Sequence, residues 1–179
     1  MRHWLGALAF GLGAFGLASI AKADCVIGEP GATRSVALGP DRRTVQIHVP
    51  RGFDPARPAP LVFVLHGSGG TGAAILRDSK LAETADRHGF IVAAPDAGIP
   101  VDRGFVWNVP GVPTITGDVP GPDDADDVAF LVETVEELAS QGCVDDSRVY
   151  ATGLSGGGRM TSWLGCVAAD RFAAIAPVV

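Results

Sequence analysis

Strands and helices alternate along this chain, which predicts an α/β fold: a mostly parallel sheet with helices on both faces, a three-layer sandwich. Three observations carry that reading. Residues 61–65 (Leu-Val-Phe-Val-Leu) and 90–94 are unbroken apolar runs without polar alternation, the mark of strands buried on both faces. Amphipathic helical segments separate the apolar runs. Glycine-rich turns at 66–72 and 153–158 follow strands at their carboxyl ends, where parallel sheets bind their ligands.

The 179-residue chain suits one domain. Arg2, the apolar run 4–20 and Ala21-Lys22-Ala23 form the n-region, h-region and Ala-x-Ala site of an export signal, expected to be cleaved after Ala23. The glycines in that run argue against a membrane anchor. Asp24 ahead of Cys25 argues against lipidation. Loss of Arg2 and Lys22 with the signal leaves 12 basic residues against 20 acidic ones, a formal charge of −8. Such a domain has no footprint for nucleic acid or an anionic membrane. Its partners are expected to be uncharged where they bind.

The elements follow in order. Residues 34–38 and 44–49 read as a hairpin turned at Gly39-Pro40-Asp41, with His48 as an ordinary strand histidine. Residues 50–60 hold four prolines and read as a surface loop. After the strand at 61–65, a helix is expected over 79–88, with Ser79 as its N-cap and Gly89 as its stop. The strand 90–94 leads into a long loop, 95–122, expected to wall or cover a site. Trp107 in that loop is a candidate to stack on an aromatic acyl group, against a packing role in the loop itself. A helix over 123–141 turns Val128, Leu131, Val132, Val135 and Leu138 inward, and its leading aspartates read as a solvated helix start. The strand 148–152, a helix with Met160, Trp163, Leu164 and Val167 on one face, and a last strand over 172–179 complete the pattern. No repeat or low-complexity tract interrupts it.

Three cysteines fit an oxidising compartment. A strand out and a helix back bring Cys143 and Cys166 towards one end of the sheet, so these two are expected to pair. Closing that loop of about 24 residues contributes roughly 3 kcal/mol in the chain-entropy model. Cys25 is then left over. No spacing of cysteines or histidines points to a metal, and no cofactor motif is present.

Between the strand 148–152 and the helix that follows lies Gly153-Leu154-Ser155-Gly156-Gly157, a Gly-x-Ser-x-Gly in the strand–turn–helix context of a nucleophile elbow. Ser155 is the candidate nucleophile. The Gly156 N–H is one candidate oxyanion donor, and the Ser68 N–H in the earlier His-Gly-Ser-Gly-Gly loop is the other. That earlier loop lacks the Gly-Lys-Ser/Thr ending of a phosphate cradle. His66 precedes the nucleophile and reads as structural.

The motifs 65–71, 126–130, 143–145, 148–157 and 173–178 together resemble the polyhydroxybutyrate-depolymerase-type secreted esterases of the α/β-hydrolase superfamily, most closely their feruloyl esterase C branch. The resemblance spans residue 33 to the end. It implies Ser155 as nucleophile, the Ser68 and Gly156 amides as oxyanion donors, and a partner for Cys25 outside this chain. In chain order such enzymes place an acid and a histidine after the serine. Here Asp170 is the only acid after Ser155, and no histidine follows it. The expectation is therefore an α/β-hydrolase domain truncated after the strand that follows the nucleophile helix, with about 100 residues of a usual domain missing. The resemblance implies a hydroxycinnamate ester on plant cell-wall polysaccharide as substrate, with poly(3-hydroxybutyrate) or another short ester as the alternative. A non-catalytic hydrolase-like module is the competing class.

Overall fold

The computed structural model describes Cys25 and residues 27–179; the expected export signal lies outside the described residues. The expected hairpin forms from β1 (Thr33–Leu38) and β2 (Arg43–His48), with Gly39 at positive φ in the turn. β3 (Ala59–Leu65), β4 (Ile91–Pro95), β7 (Val144–Leu154) and β8 (Ala174–Val178) complete a six-stranded sheet in the order β1-β2-β4-β3-β7-β8. The β4-β3-β7-β8 part is parallel, and β1 and β2 join it antiparallel.

Strand side chains alternate between two cores. Leu61, Phe63 and Leu65 of β3, with Ile91 and Ala93 of β4, share one core with α3 (Asp127–Ser140) and α4 (Gly156–Val167). Val64, Val92 and Ala94 face α1 (Gly72–Ser79) and α2 (Leu81–His88) on the other side. This burial on both faces is why the runs are apolar without interruption, and it yields the expected three layers. The last strand, β8, is largely exposed along its length.

Local chemistry shifts several boundaries. Thr71 accepts a hydrogen bond from the Ala74 N–H (3.2 Å) and Asp96 one from the Gly72 N–H (2.7 Å), starting a helix, α1, inside the glycine-rich stretch. Lys80 then takes a left-handed backbone (φ 54°), so the single helix expected over 79–88 is instead a separate α2 beginning at Leu81. α3 begins at Asp127, capped by Asp126, whose side chain accepts from the Ala129 N–H (2.9 Å). In α4, Met160 and Leu164 are buried, whereas Val167 is exposed. Inside the long loop, β5 (Ile99–Val101) and β6 (Gly104–Val106) form a second, two-stranded sheet. His48 is held between Thr33 Oγ1 (2.9 Å) and Asp86 Oδ1 (3.1 Å), a structural tie between β2 and α2.

The expected Cys143–Cys166 bridge is not the one formed. Cys25 pairs with Cys143, and Cys166 is a free, exposed thiol. The reason is geometric. An extended strand advances about 3.3 Å per residue and a helix about 1.5 Å. The helix from the elbow to Cys166 therefore retraces only part of the distance that β7 covers from Cys143. The buried Cys143 is reached instead by the segment around Cys25 and Ile27, which packs into the same core. The two partners are 118 residues apart in sequence. For a loop of about 100 residues, the chain-entropy model assigns a bridge roughly 4.7 kcal/mol. Denaturant titration is expected to show Cys143→Ser destabilised by several kcal/mol and Cys166→Ser unchanged.

Candidate active site

β7 ends at Leu154, and the chain reverses at once into α4. Ser155, at the reversal, has φ 53° and ψ −112°, a backbone conformation that residues with a Cβ rarely adopt. Its N–H donates to the Val178 carbonyl (2.7 Å), and its carbonyl accepts from the Arg159 N–H (2.9 Å). The turn is tight enough that a Cβ on Gly153 would lie 2.4 Å from the Gly157 carbonyl oxygen. One on Gly157 would lie 2.2 Å from that of Leu65. Only glycine fits either position. Ser155 is solvent-exposed at this tip.

The loop after β3 lies directly against the elbow. A Cβ on Gly156 would stand 2.9 Å from Ser68 N, so the two expected oxyanion amides are neighbours. Gly156 is the first residue of α4, where an N–H has no intrahelical acceptor. The Ser68 N–H likewise has no acceptor among the described residues. Two main-chain N–H groups without an acceptor among the described residues thus lie beside an exposed hydroxyl, and donors so placed can stabilise charge on a carbonyl oxygen under attack.

The loop carrying Ser68 is held from behind by contacts with no local sequence signal. Gly69 N–H donates to the Phe105 carbonyl (2.9 Å) and Phe105 N–H to that of Gly70 (3.0 Å), which joins the loop to β6. His66 is 1 % exposed. Its Nδ1–H donates to the Gly67 carbonyl (2.8 Å), and its Nε2 accepts from the Ala97 N–H (3.1 Å). Main-chain partners of fixed polarity dictate this neutral tautomer. Burial holds its pKa below the ordinary value of 6.5, against the opposing pull of the Gly67 carbonyl and the Asp96 charge.

Trp107 does not present itself to a ligand. It is 4 % exposed, its indole N–H donates to the His66 carbonyl (2.8 Å), and its ring lies 5.0 Å from the imidazole. The substrate-stacking expectation gives way to a packing role, because the indole nitrogen and the apolar ring both find partners inside the protein.

The next residue, Asn108, leads to the anchor of the whole loop. Asp127, at the start of α3, accepts from the Asn108 N–H (2.7 Å), the Gly98 N–H (2.9 Å) and the Arg43 guanidinium. Burial pushes its carboxyl above the ordinary carboxylate range, opposed by the Asn108 N–H, the Arg43 charge and the Gly98 N–H. Arg43 in turn lies 4.3 Å above the Phe130 ring. Of the aspartates expected to form a solvated helix start, this one is a buried ion-pair partner. Among the described residues no group of three or more His, Cys, Asp or Glu is placed to hold a metal.

No described histidine is placed on Ser155: the rings of His48 and His66 have the partners given above, and His88 ends α2. The described residues therefore bring an exposed serine hydroxyl beside two main-chain amides, with no histidine set against it.

The sequence profile of the prolyl oligopeptidase family matches residues 78–179. Over 137 residues the chain is 38 % identical to feruloyl esterase B of Piromyces equi, covering 75 % of this chain and 23 % of that protein. Over 124 residues it is 34 % identical to a poly(3-hydroxybutyrate) depolymerase of Ralstonia pickettii, covering 64 % and 24 %. Acetyl xylan esterase from Aspergillus awamori superposes with a TM-score of 0.62 at 25 % identity, over 80 % of this chain and 50 % of that one. The chain thus spans about a quarter of the length of these two relatives.

Two measurements test this architecture. Because His66 has a folded-state pKa below its unfolded one, the unfolded chain binds the extra proton first as pH falls below 6.5. Stability is expected to drop there by up to about 1.4 kcal/mol per pH unit, and His66→Gln is expected to remove that slope. Asp127→Ala leaves Arg43 with the exposed Asp41 as its ion-pair partner and takes the acceptor from the Gly98 and Asn108 N–H groups, and denaturant melts are expected to show a loss of about 3–5 kcal/mol.

Proposed function

The chain belongs to the prolyl oligopeptidase family, with the α/β-hydrolase fold, and from that footing we propose that it carries the nucleophile and oxyanion hole of a serine carboxylesterase. The observation that carries the reading is the strained, exposed Ser155 beside the unpaired Ser68 and Gly156 amides. In this reading Ser155 Oγ attacks an ester carbonyl and the two amides hold the oxygen as it becomes negative. The alcohol leaves, and water releases the acyl group from the serine. The general base comes from outside the described residues. The substrate is a hydroxycinnamate ester of a plant cell-wall polysaccharide, supported by the likeness to a feruloyl esterase. Poly(3-hydroxybutyrate) is the second substrate, supported by the likeness to a depolymerase of that polymer. Such a protein acts outside the cell that makes it, in keeping with an export signal over residues 1–23 and the Cys25–Cys143 bridge.

The test is hydrolysis of methyl ferulate and of a poly(3-hydroxybutyrate) film. The complete gene product is expected to turn over the ferulate ester, with a loss on the order of 10⁴–10⁶-fold in Ser155→Ala. Residues 25–179 alone are expected to show no turnover above that variant. Full activity in Ser155→Ala would overturn the assignment, and preference for the film would exchange the two substrates.

A further inference from the structure

A cleft of about 810 Å³ opens beside Gly69, the residue after the Ser68 oxyanion donor. One side is the β5–β6 hairpin, from Ile99 through the Asp102-Arg103 turn to Val106. The other is the segment from Thr114 to Pro120. On that segment two large aliphatic side chains stand in solvent: Ile115 is 62 % exposed and Val119 55 %. Ile115 also reaches the oxyanion loop, since a Cβ on Gly69 would lie 3.2 Å from its Cδ1. Exposed aliphatics grouped in a concavity mark a surface that gains by being covered.

Resting on the esterase reading, we propose that Ile115 and Val119 form the apolar wall of the acyl subsite. There they cover the aromatic ring of a hydroxycinnamoyl ester while its carbonyl lies at the Ser68 and Gly156 amides. Three observations favour this occupant. The cleft is continuous with the oxyanion loop through Gly69. Its volume lies in the range of sites that take drug-sized ligands and far exceeds what an acetyl group fills. Its rim is polar, and Asp102, Asp118 and Asp124 outnumber the one cation, Arg103. Such a rim offers acceptors to a phenolic hydroxyl and favours an uncharged ester over its carboxylate product.

The wall is also set in advance. Thr114 N–H donates to the Asp118 carbonyl (2.8 Å), Gly117 N–H to the Thr114 carbonyl (3.0 Å), and Thr116 Oγ1–H to Asp118 Oδ2 (2.8 Å). Little ordering is left for the ligand to impose.

Titrating methyl ferulate and methyl acetate into the chain by NMR tests the proposal. Methyl ferulate is expected to bind and to shift the amides of Gly69 and Val106, with methyl acetate at least tenfold weaker. Ile115→Asp and Val119→Asp are each expected to weaken methyl ferulate at least tenfold with unchanged circular dichroism, since both side chains are exposed. Ile115→Leu is expected to retain binding. No binding, equal affinity for the two esters, or undiminished binding by both Asp variants would overturn the subsite. Failure of the esterase reading registers separately, as absence of Ser155 labelling when the complete gene product meets a fluorophosphonate.

Discussion

One backbone torsion organises this molecule. Ser155 has a Cβ yet is held at positive φ, a conformation that costs about 1–3 kcal/mol and survives only where its surroundings leave no alternative. Those surroundings come from three neighbouring strands. β7 delivers the serine, the end of β8 receives its N–H through the Val178 carbonyl, and the end of β3 presses the Leu65 carbonyl against Gly157. The parallel order β3-β7-β8 places these carboxyl ends side by side. The sheet is therefore more than a support for the elbow, since its strand ends are the walls that enforce the strained turn.

The loop at 66–70 obeys a different constraint. Residues between β4 and α3 form a long connection, and their buried polar backbone groups need partners that a regular ladder does not provide. Asp127 meets much of that need by accepting from two backbone N–H groups at once, with Arg43 balancing its charge. Trp107 and the small hairpin then pass the resulting rigidity to the loop at 66–70 through the His66 carbonyl and the Phe105 backbone. An ion pair at the foot of α3 thus fixes the frame that surrounds Ser68.

What could be read from the sequence divides along the same line. β3 and β4 were legible because burial on both faces leaves an unbroken apolar run. The elbow was legible because its Gly-x-Ser-x-Gly pattern stands between a strand and a helical run. The long-range ties were not. Nothing next to Asp127 tells a buried, bridging carboxylate from its neighbour Asp126, which caps the helix in solvent. For Trp107 the sequence leaves stacking and packing both open, because its hydrogen-bond partner lies 41 residues away. The cysteine pairing failed on distance: the unequal rise of strand and helix was the quantity needed, and the buried end of β7 faced the N-terminal segment instead. Lys80 in a left-handed conformation moves the start of the helix expected over 79–88 to Leu81, and α1 ahead of it carries no hydrophobic pattern that marks it in the sequence.

His66 shows why a histidine beside a glycine-rich loop next to an exposed serine need not be a base. A base must reach the serine hydroxyl and accept its proton. This ring instead has both nitrogens committed, one donating to Gly67 and the other accepting from Ala97. Protonation would place a hydrogen on Nε2, opposite the Ala97 N–H, and the second bond would be lost. The burial that depresses its pKa therefore keeps the tie intact at neutral pH, and it removes the imidazole from proton transfer. One desolvation effect thus keeps the imidazole neutral and its two main-chain ties intact.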